Sequence, residues 1–334
     1  MTIRGERTHG EDLAAVGSAK EPADRRRTLR AVSQLGLPLV VLAMCIYFTV
    51  RQPLFATPSN GLNVARQFSF LAVFAFAQSF PILVGGFDIS IGSQVGLSSV
   101  VMALVTQKAG LPAGLAAGIA TAGIVGAING FTIARFVVSP FVVTLGMLSA
   151  ALGLALFLTN GRPVYGFNDT FTVIATGYIG PVSVPLLIAA CVFVVSWFVL
   201  TRTVYGRHLY AVGGNEEAAR LSGVNVFRTK MLAYIICGLI TGIGAMVLTA
   251  RVASGQPNLG TGLELESIAA VVIGGVALGG GEGRLARVVW GVLVMSLLSN
   301  GLDLLQVSSY IQLMVIGVVF VVAVIFDGLK KRAG

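Results

Sequence analysis

Long apolar runs separated by short polar intervals dominate this chain of 334 residues. A bilayer crossing needs about 17–25 mostly apolar residues. On that measure the pattern predicts about ten spans, at roughly 32–50, 65–84, 90–107, 111–134, 139–159, 182–201, 230–250, 266–280, 286–303 and 309–326. The third and eighth are short and broken by glycine. The predicted fold class is therefore an all-α integral membrane protein, a polytopic bundle. Residues 1–31 are polar, mixed in charge and aperiodic, and read as a disordered basic tail. The tail carries Arg25, Arg26, Arg27 and Arg30 just before the first apolar run. No small-x-small cleavage site closes that run and further spans follow, so it reads as a retained helix rather than a signal peptide.

The longest polar interval between spans is 206–230, GRHLYAVGGNEEAARLSGVNVFRTK. Its middle predicts one short helix. Asn215 is placed to accept a hydrogen bond from a free N–H as N-cap. Glu216 and Glu217 follow in the first turn and Arg220 lies near the end, each on the side the helix dipole favours. Gly223 is placed to be the left-handed residue that ends it. At about 1.5 Å per residue, Asn215–Ser222 spans only ~10–12 Å. A helix that short needs a surface to pack on. It is either a solvated loop helix or a knob held by a partner's groove.

Composition fixes the class. The chain is 55% hydrophobic and 11% charged, with mean hydropathy +0.87, against about 25% charged for a soluble domain. So few charges could not cover a soluble surface. The excess of Lys and Arg lies between and beside the apolar runs, which argues for orientation in a membrane rather than nucleic-acid binding. With ten spans, 18 of the 23 fall on the side of the termini and 5, Arg51, Arg66, Lys108, Arg162 and Arg251, on the other. That bias puts both termini, and the 206–230 loop, in the cytoplasm. Cys45, Cys191 and Cys237 lie inside apolar runs and read as buried small hydrophobes. Gly114-x3-Gly118 and Gly126-x3-Gly130 read as close-packing devices between helices.

No catalytic constellation or metal-ligand spacing is visible. The histidines are His9 and His208, both outside the spans, and no Gly-Lys pair exists to build a phosphate-binding loop. The glycine-rich run Gly274–Gly283 follows a span rather than a strand and reads as a tight turn. Most carboxylates lie outside the spans. Asp88 at a helix break reads as N-cap of the third span, and Asp303 lies near a helix end. Ion coupling, which needs ionisable groups inside the helices, is thus poorly supported, and an external energy source fits better.

Glu217-Ala218-Ala219-x3-Gly223 matches the EAA-x3-G pattern of permease subunits of ATP-binding-cassette (ABC) importers. YAVGGNEEAARLSGVNV, Gly85–Ser93, Pro140–Met147 and Ser254–Gly275 resemble the ribose-type branch of sugar permeases, from about residue 35 to Asp327. Ala277 and Arg287 depart from it near the glycine-rich turn. The resemblance implies a permease domain over 32–328, in the bacterial inner membrane, with 206–230 as its coupling loop. Gly213, Gly214, Asn215, Glu216, Glu217, Ala218, Ala219, Arg220 and Gly223 would then contact a separate ABC ATPase subunit. It implies a second permease copy or a related one, an extracytoplasmic sugar-binding protein, and no cofactor on this chain, ATP and Mg being held by the ATPase. Gln78, Asp88, Ser93, Gln94, Asn129, Thr144, Ser149, Ser299 and Asn300 are candidates for lining the translocation path, and equally for gluing helices together. The alternative reading is an ion-coupled secondary sugar carrier.

Overall fold

The computed structural model describes residues 23–333, with side chains from 36 to 329. Among these, thirteen α-helices follow one another: α1 (Ala23–Arg51), α2 (Pro58–Leu83), α3 (Ile91–Ala109), α4 (Leu111–Phe136), α5 (Pro140–Thr159), α6 (Asp169–Thr176), α7 (Val184–Arg202), α8 (Val204–Gly214), α9 (Glu216–Leu221), α10 (Val226–Val252), α11 (Leu263–Ile273), α12 (Leu285–Leu304) and α13 (Ser309–Ala333). The one sheet is a two-residue hairpin, β1 (Tyr178–Ile179) against β2 (Val182–Ser183). The molecule is an all-α membrane protein. Six helices, α4, α5, α7, α10, α12 and α13, are long and apolar enough to cross a bilayer by length and composition.

Each of the ten expected spans contains a helix, and four of these helices, α1, α2, α11 and α13, depart from the expected bounds at one end by seven residues or more. α2 begins at Pro58 rather than near 65, capped by the Thr57 hydroxyl, with Pro58 in the first turn where its missing N–H costs nothing. The eighth segment, expected over 266–280, is helical only over Leu263–Ile273. Gly275 takes φ +82°, and the chain beyond is a loop. At the N-terminus, residues 1–22 of the expected tail lie outside the described residues. α1 starts at Ala23 and its backbone takes in the arginine cluster.

The core is built around α2, whose residues Leu71–Leu83 are all buried. It packs against α7, α10, α11 and α12. A helix enclosed by others tolerates polar side chains that a lipid-facing one would not, which is why α2 and α3 score low in hydropathy while sitting at the centre. The closest pairing is α4 on α10. A Cβ at Gly126 or Gly238 would overlap the Tyr234 or Ala122 carbonyl oxygen across that interface, so these glycines let the two backbones touch. Gly114 and Gly118 do the same against Met102 and Ser98 of α3. The cysteines are not uniformly buried: Cys237 is enclosed, Cys45 half-buried, and Cys191 exposed on the outward face of α7.

Candidate functional site

The expected short helix is α9, and its caps are as the sequence predicts. Asn215 Oδ1 accepts from Ala218 N at 2.9 Å, and Gly223 takes φ +84°. Glu216 accepts from Arg220 at 3.1 Å and from Lys230, at the start of α10, at 2.5 Å. Ala219 is buried, while Glu217, Ala218 and Arg220 face outward and Leu221 is 85% exposed. α9 is thus tied to the body by Glu216 and Ala219 and presents a small knob of mixed chemistry. Leu221 was not singled out from the sequence, although an exposed leucine on a capped helix at this position is the apolar part of that knob.

The polar interval holds a second helix that the sequence reading did not separate, α8, capped by the Thr203 hydroxyl on Gly206 N. α8 is anchored by two phenols. Tyr205 donates to Thr229 O at 3.3 Å and Tyr210 to Gly283 O at 3.1 Å. Burial raises both phenols' pKa, with Arg284 partly opposing it at Tyr210, so both remain hydrogen-bond donors at neutral pH.

Where α8 ends, three glycine-containing segments converge. Gly281 N donates to Leu83 O, the last residue of α2, at 2.9 Å. A Cβ on Gly213 would overlap that same carbonyl oxygen, and one on Gly281 would overlap Gly214. A Cβ on Gly280 would stand 2.6 Å from Gly85 N. The loop after α11, the end of α8 and the break after α2 are therefore in backbone contact, with no side chain between them. The glycine-rich run is a packing element as well as a turn: Gly275, Gly280, Gly281 and Gly283 all have positive φ.

Beyond this junction the chain from Gly85 leads to Asp88. Its carboxylate is fully buried and accepts from Ser90 N at 2.9 Å, Ser90 Oγ at 2.5 Å, Gln94 Nε2 at 2.8 Å and Asn129 Nδ2 at 3.3 Å. The N-cap of α3 is Ser90, not Asp88. Asp88 is instead the hub of a network joining the α2–α3 break to α3 and α4. It reaches further than a cap because Asn129 arrives from another helix. Gln94 Oε1 and Asn129 Oδ1 have no partner among the described residues, nor does either side-chain polar atom of the buried Gln78.

The other candidate path residues do not gather with this network. Ser93 Oγ donates to Ser90 O and Thr144 Oγ1 to Pro140 O, both within their own chain segment. Ser149 is exposed on α5 and Ser299 half-buried on α12. Asn300 exchanges two 2.9 Å hydrogen bonds with Asn60, joining α12 to α2 at the end remote from α9. That pair is glue. The sequence does not single out Asn60, Asn63 or Gln67, and Arg66 and Arg251 enter it only as charges on the side away from the termini. Asn60, Asn63, Arg66 and Gln67 recur at helical spacing at the start of α2, a signal split by the expected span edge at 65. No cluster of three or more metal-ligating side chains occurs among the described residues.

A family model described as branched-chain amino acid transport system / permease component matches residues 60–324. The chain is 38% identical to the ribose import permease protein RbsC of Bacillus subtilis, over 90% of this chain and 94% of that protein. It is 33% identical to the L-arabinose ABC transporter permease protein AraH of Azospirillum brasilense, over 99% and 97%. It is 34% identical to the D-allose transport system permease protein AlsC of Escherichia coli, over 88% and 91%. No solved structure matches it. The chain belongs to this family of transport permease components, in the branch of the ribose-type ABC sugar permeases.

Proposed function

We propose that this chain is the membrane subunit of an ATP-driven importer for a monosaccharide or related small polyol, crossing the inner membrane about ten times with both termini cytoplasmic. The observation that carries the mechanism is the seating of α9: a capped knob exposing Glu217, Ala218, Arg220 and Leu221, fixed to a glycine junction that touches the end of α2. An ABC ATPase subunit binds this knob, and two permease chains enclose the path. A sugar-binding protein delivers the substrate at the far face. This chain supplies no hydrolytic chemistry; ATP and Mg are held by the ATPase.

Coupling then follows from rigid-body mechanics. Closure of the ATPase pair displaces α9. The Glu216–Lys230 pair and the buried Ala219 prevent α9 from moving alone, so α8 and the start of α10 move with it. Backbone contact at Gly213 passes the displacement to the α2–α3 break and the loop before α12. The Asp88 network makes that break behave as one piece with α3 and α4.

Glu217 is exposed, and among the described residues no hydrogen bond holds its side chain. Glu217→Arg is therefore expected to leave α9 folded while reversing the charge offered to the partner. Co-purification of the ATPase should fall by roughly ten- to a hundredfold, the effect of about 1.4–2.8 kcal/mol at an interface. Unchanged co-purification and unchanged sugar uptake would remove Glu217 from the interface.

A further inference from the structure

At the end remote from α9, the start of α2 faces α6 and the C-terminal ends of α10 and α12 across a cavity of about 340 Å³, within the ~300–1,000 Å³ range of small-molecule sites. Arg66 and Gln67 line it half-buried, Arg251, Asp303 and Asn63 stand exposed at its rim, and Phe70 supplies apolar surface. The cavity holds two guanidinium groups and a carboxylate, yet they do not pair. Arg66 donates to the Tyr178 hydroxyl and lies 5.4 Å from that ring's centroid. Arg251 lies over Phe70 at 4.9 Å. Among the described residues neither arginine forms a salt bridge. Asp303 Oδ1 accepts from Gln312 at 2.8 Å, while Oδ2 has only a long 3.4 Å bond from Gln67. Gln67 Oε1 is buried and without a partner among the described residues.

We propose that this cavity is a monosaccharide-binding site contained within a single permease chain. The site rests on the sugar-importer reading and adds to it a place where the chain itself holds the cargo. Each hydroxyl of a sugar both donates and accepts. Asp303 Oδ2 and Gln67 Oε1 are open acceptors, and the two guanidiniums bring donors that no acid among the described residues takes up. Asn63 can do either. The apolar face of Phe70 suits the C–H side of a sugar ring. The space between the guanidiniums and the carboxylate is what keeps unlike charges apart, and a polyhydroxyl ligand fills it without leaving any of them unpaired.

The test uses the complete importer in proteoliposomes, this chain with its ATPase subunits and binding protein. The probes are radiolabelled D-ribose, L-arabinose and D-allose, and the readout is sugar moved per ATP hydrolysed. Asp303→Asn and Arg251→Gln each remove a charged hydrogen-bonding group, so the ratio is expected to fall roughly tenfold or more, the worth of one charged hydrogen bond. Asn63→Ala changes an exposed position and keeps the test decisive if either charge variant fails to assemble; its ratio is expected to fall by a smaller factor in the same direction. A wild-type ratio in assembled variants overturns the site, even if both rates drop together, because a joint drop marks a contact for the binding protein instead. A wild-type complex that hydrolyses ATP in response to its binding protein but moves none of the three sugars overturns the monosaccharide reading itself.

Discussion

Replacing Gly213 with valine is expected to uncouple the importer: ATP is still hydrolysed but sugar uptake falls by roughly ten- to a hundredfold, the equivalent of the ~1–3 kcal/mol that overpacking costs. A Cβ at this position overlaps the Leu83 carbonyl oxygen and stands 2.5 Å from Gly281 N, and neither backbone can give way. Gly281 N already donates to that carbonyl, so α8 must lift off the end of α2 and take α9 with it. Gly214, one residue on, is a control. Nothing lies within 4 Å of a Cβ built there, so Gly214→Ala should transport close to wild type. Uptake and ATPase rates measured on the same proteoliposomes separate the outcomes. If Gly213→Val transports normally, the junction does not carry the motion.

The second large effect concerns stability. Asp88 accepts from four donors in a region with no water contact. Asp88→Leu leaves Ser90 N–H and Ser90 Oγ–H without their acceptor and leaves Gln94 and Asn129 with only Ser90 Oγ, to which each donates at 2.9 Å, at ~1–3 kcal/mol for each group that finds no substitute. A total on the order of 3–5 kcal/mol is expected, as for other broken buried charge clusters. Asp88→Asn should be far milder. Its carbonyl oxygen keeps the Ser90 bonds, and its new N–H groups meet Gln94 Oε1 and Asn129 Oδ1, which are unpartnered and need only an amide rotation to accept. Thermal unfolding in detergent should rank wild type above Asp88→Asn and both well above Asp88→Leu. Equal midpoints for the asparagine and leucine variants would mean that the network contributes packing and not hydrogen bonding.

Features with local causes were legible in the sequence. The caps of α9 depend on Asn215 and Gly223 alone, and α4, α5 and α7 end within a few residues of the hydropathy edges because lipid-facing helices are uniformly apolar. Features that depend on distant partners were not. Asp88 reads locally as a cap because its role is defined by Asn129 on α4. Gly274–Gly280 reads both as the apolar end of a span and as a tight turn, because glycine, valine and leucine are apolar; the positive φ at Gly275 and Gly280 resolves it as a turn. The start of α2 ahead of residue 65 reads as loop because Asn60 and Asn63 lower its hydropathy, although Thr57-Pro58 beside them is a helix-start signal. The polar cavity at that end stayed hidden for the same reason. Residues that meet there come from α2, α6, α10 and α12, and no spacing along one segment reveals them.

This chain is expected to work only as the membrane half of an ATP-driven machine. The most direct measurement is to purify the tagged chain from mildly solubilised membranes, identify what co-elutes, and assay the eluate for ATP hydrolysis with and without a sugar-binding protein. The account predicts an ABC ATPase in the eluate whose activity rises when the sugar-loaded binding protein is added. A chain that elutes alone under conditions preserving other membrane complexes, and that takes up sugar by itself in liposomes under a proton or sodium gradient, would contradict it.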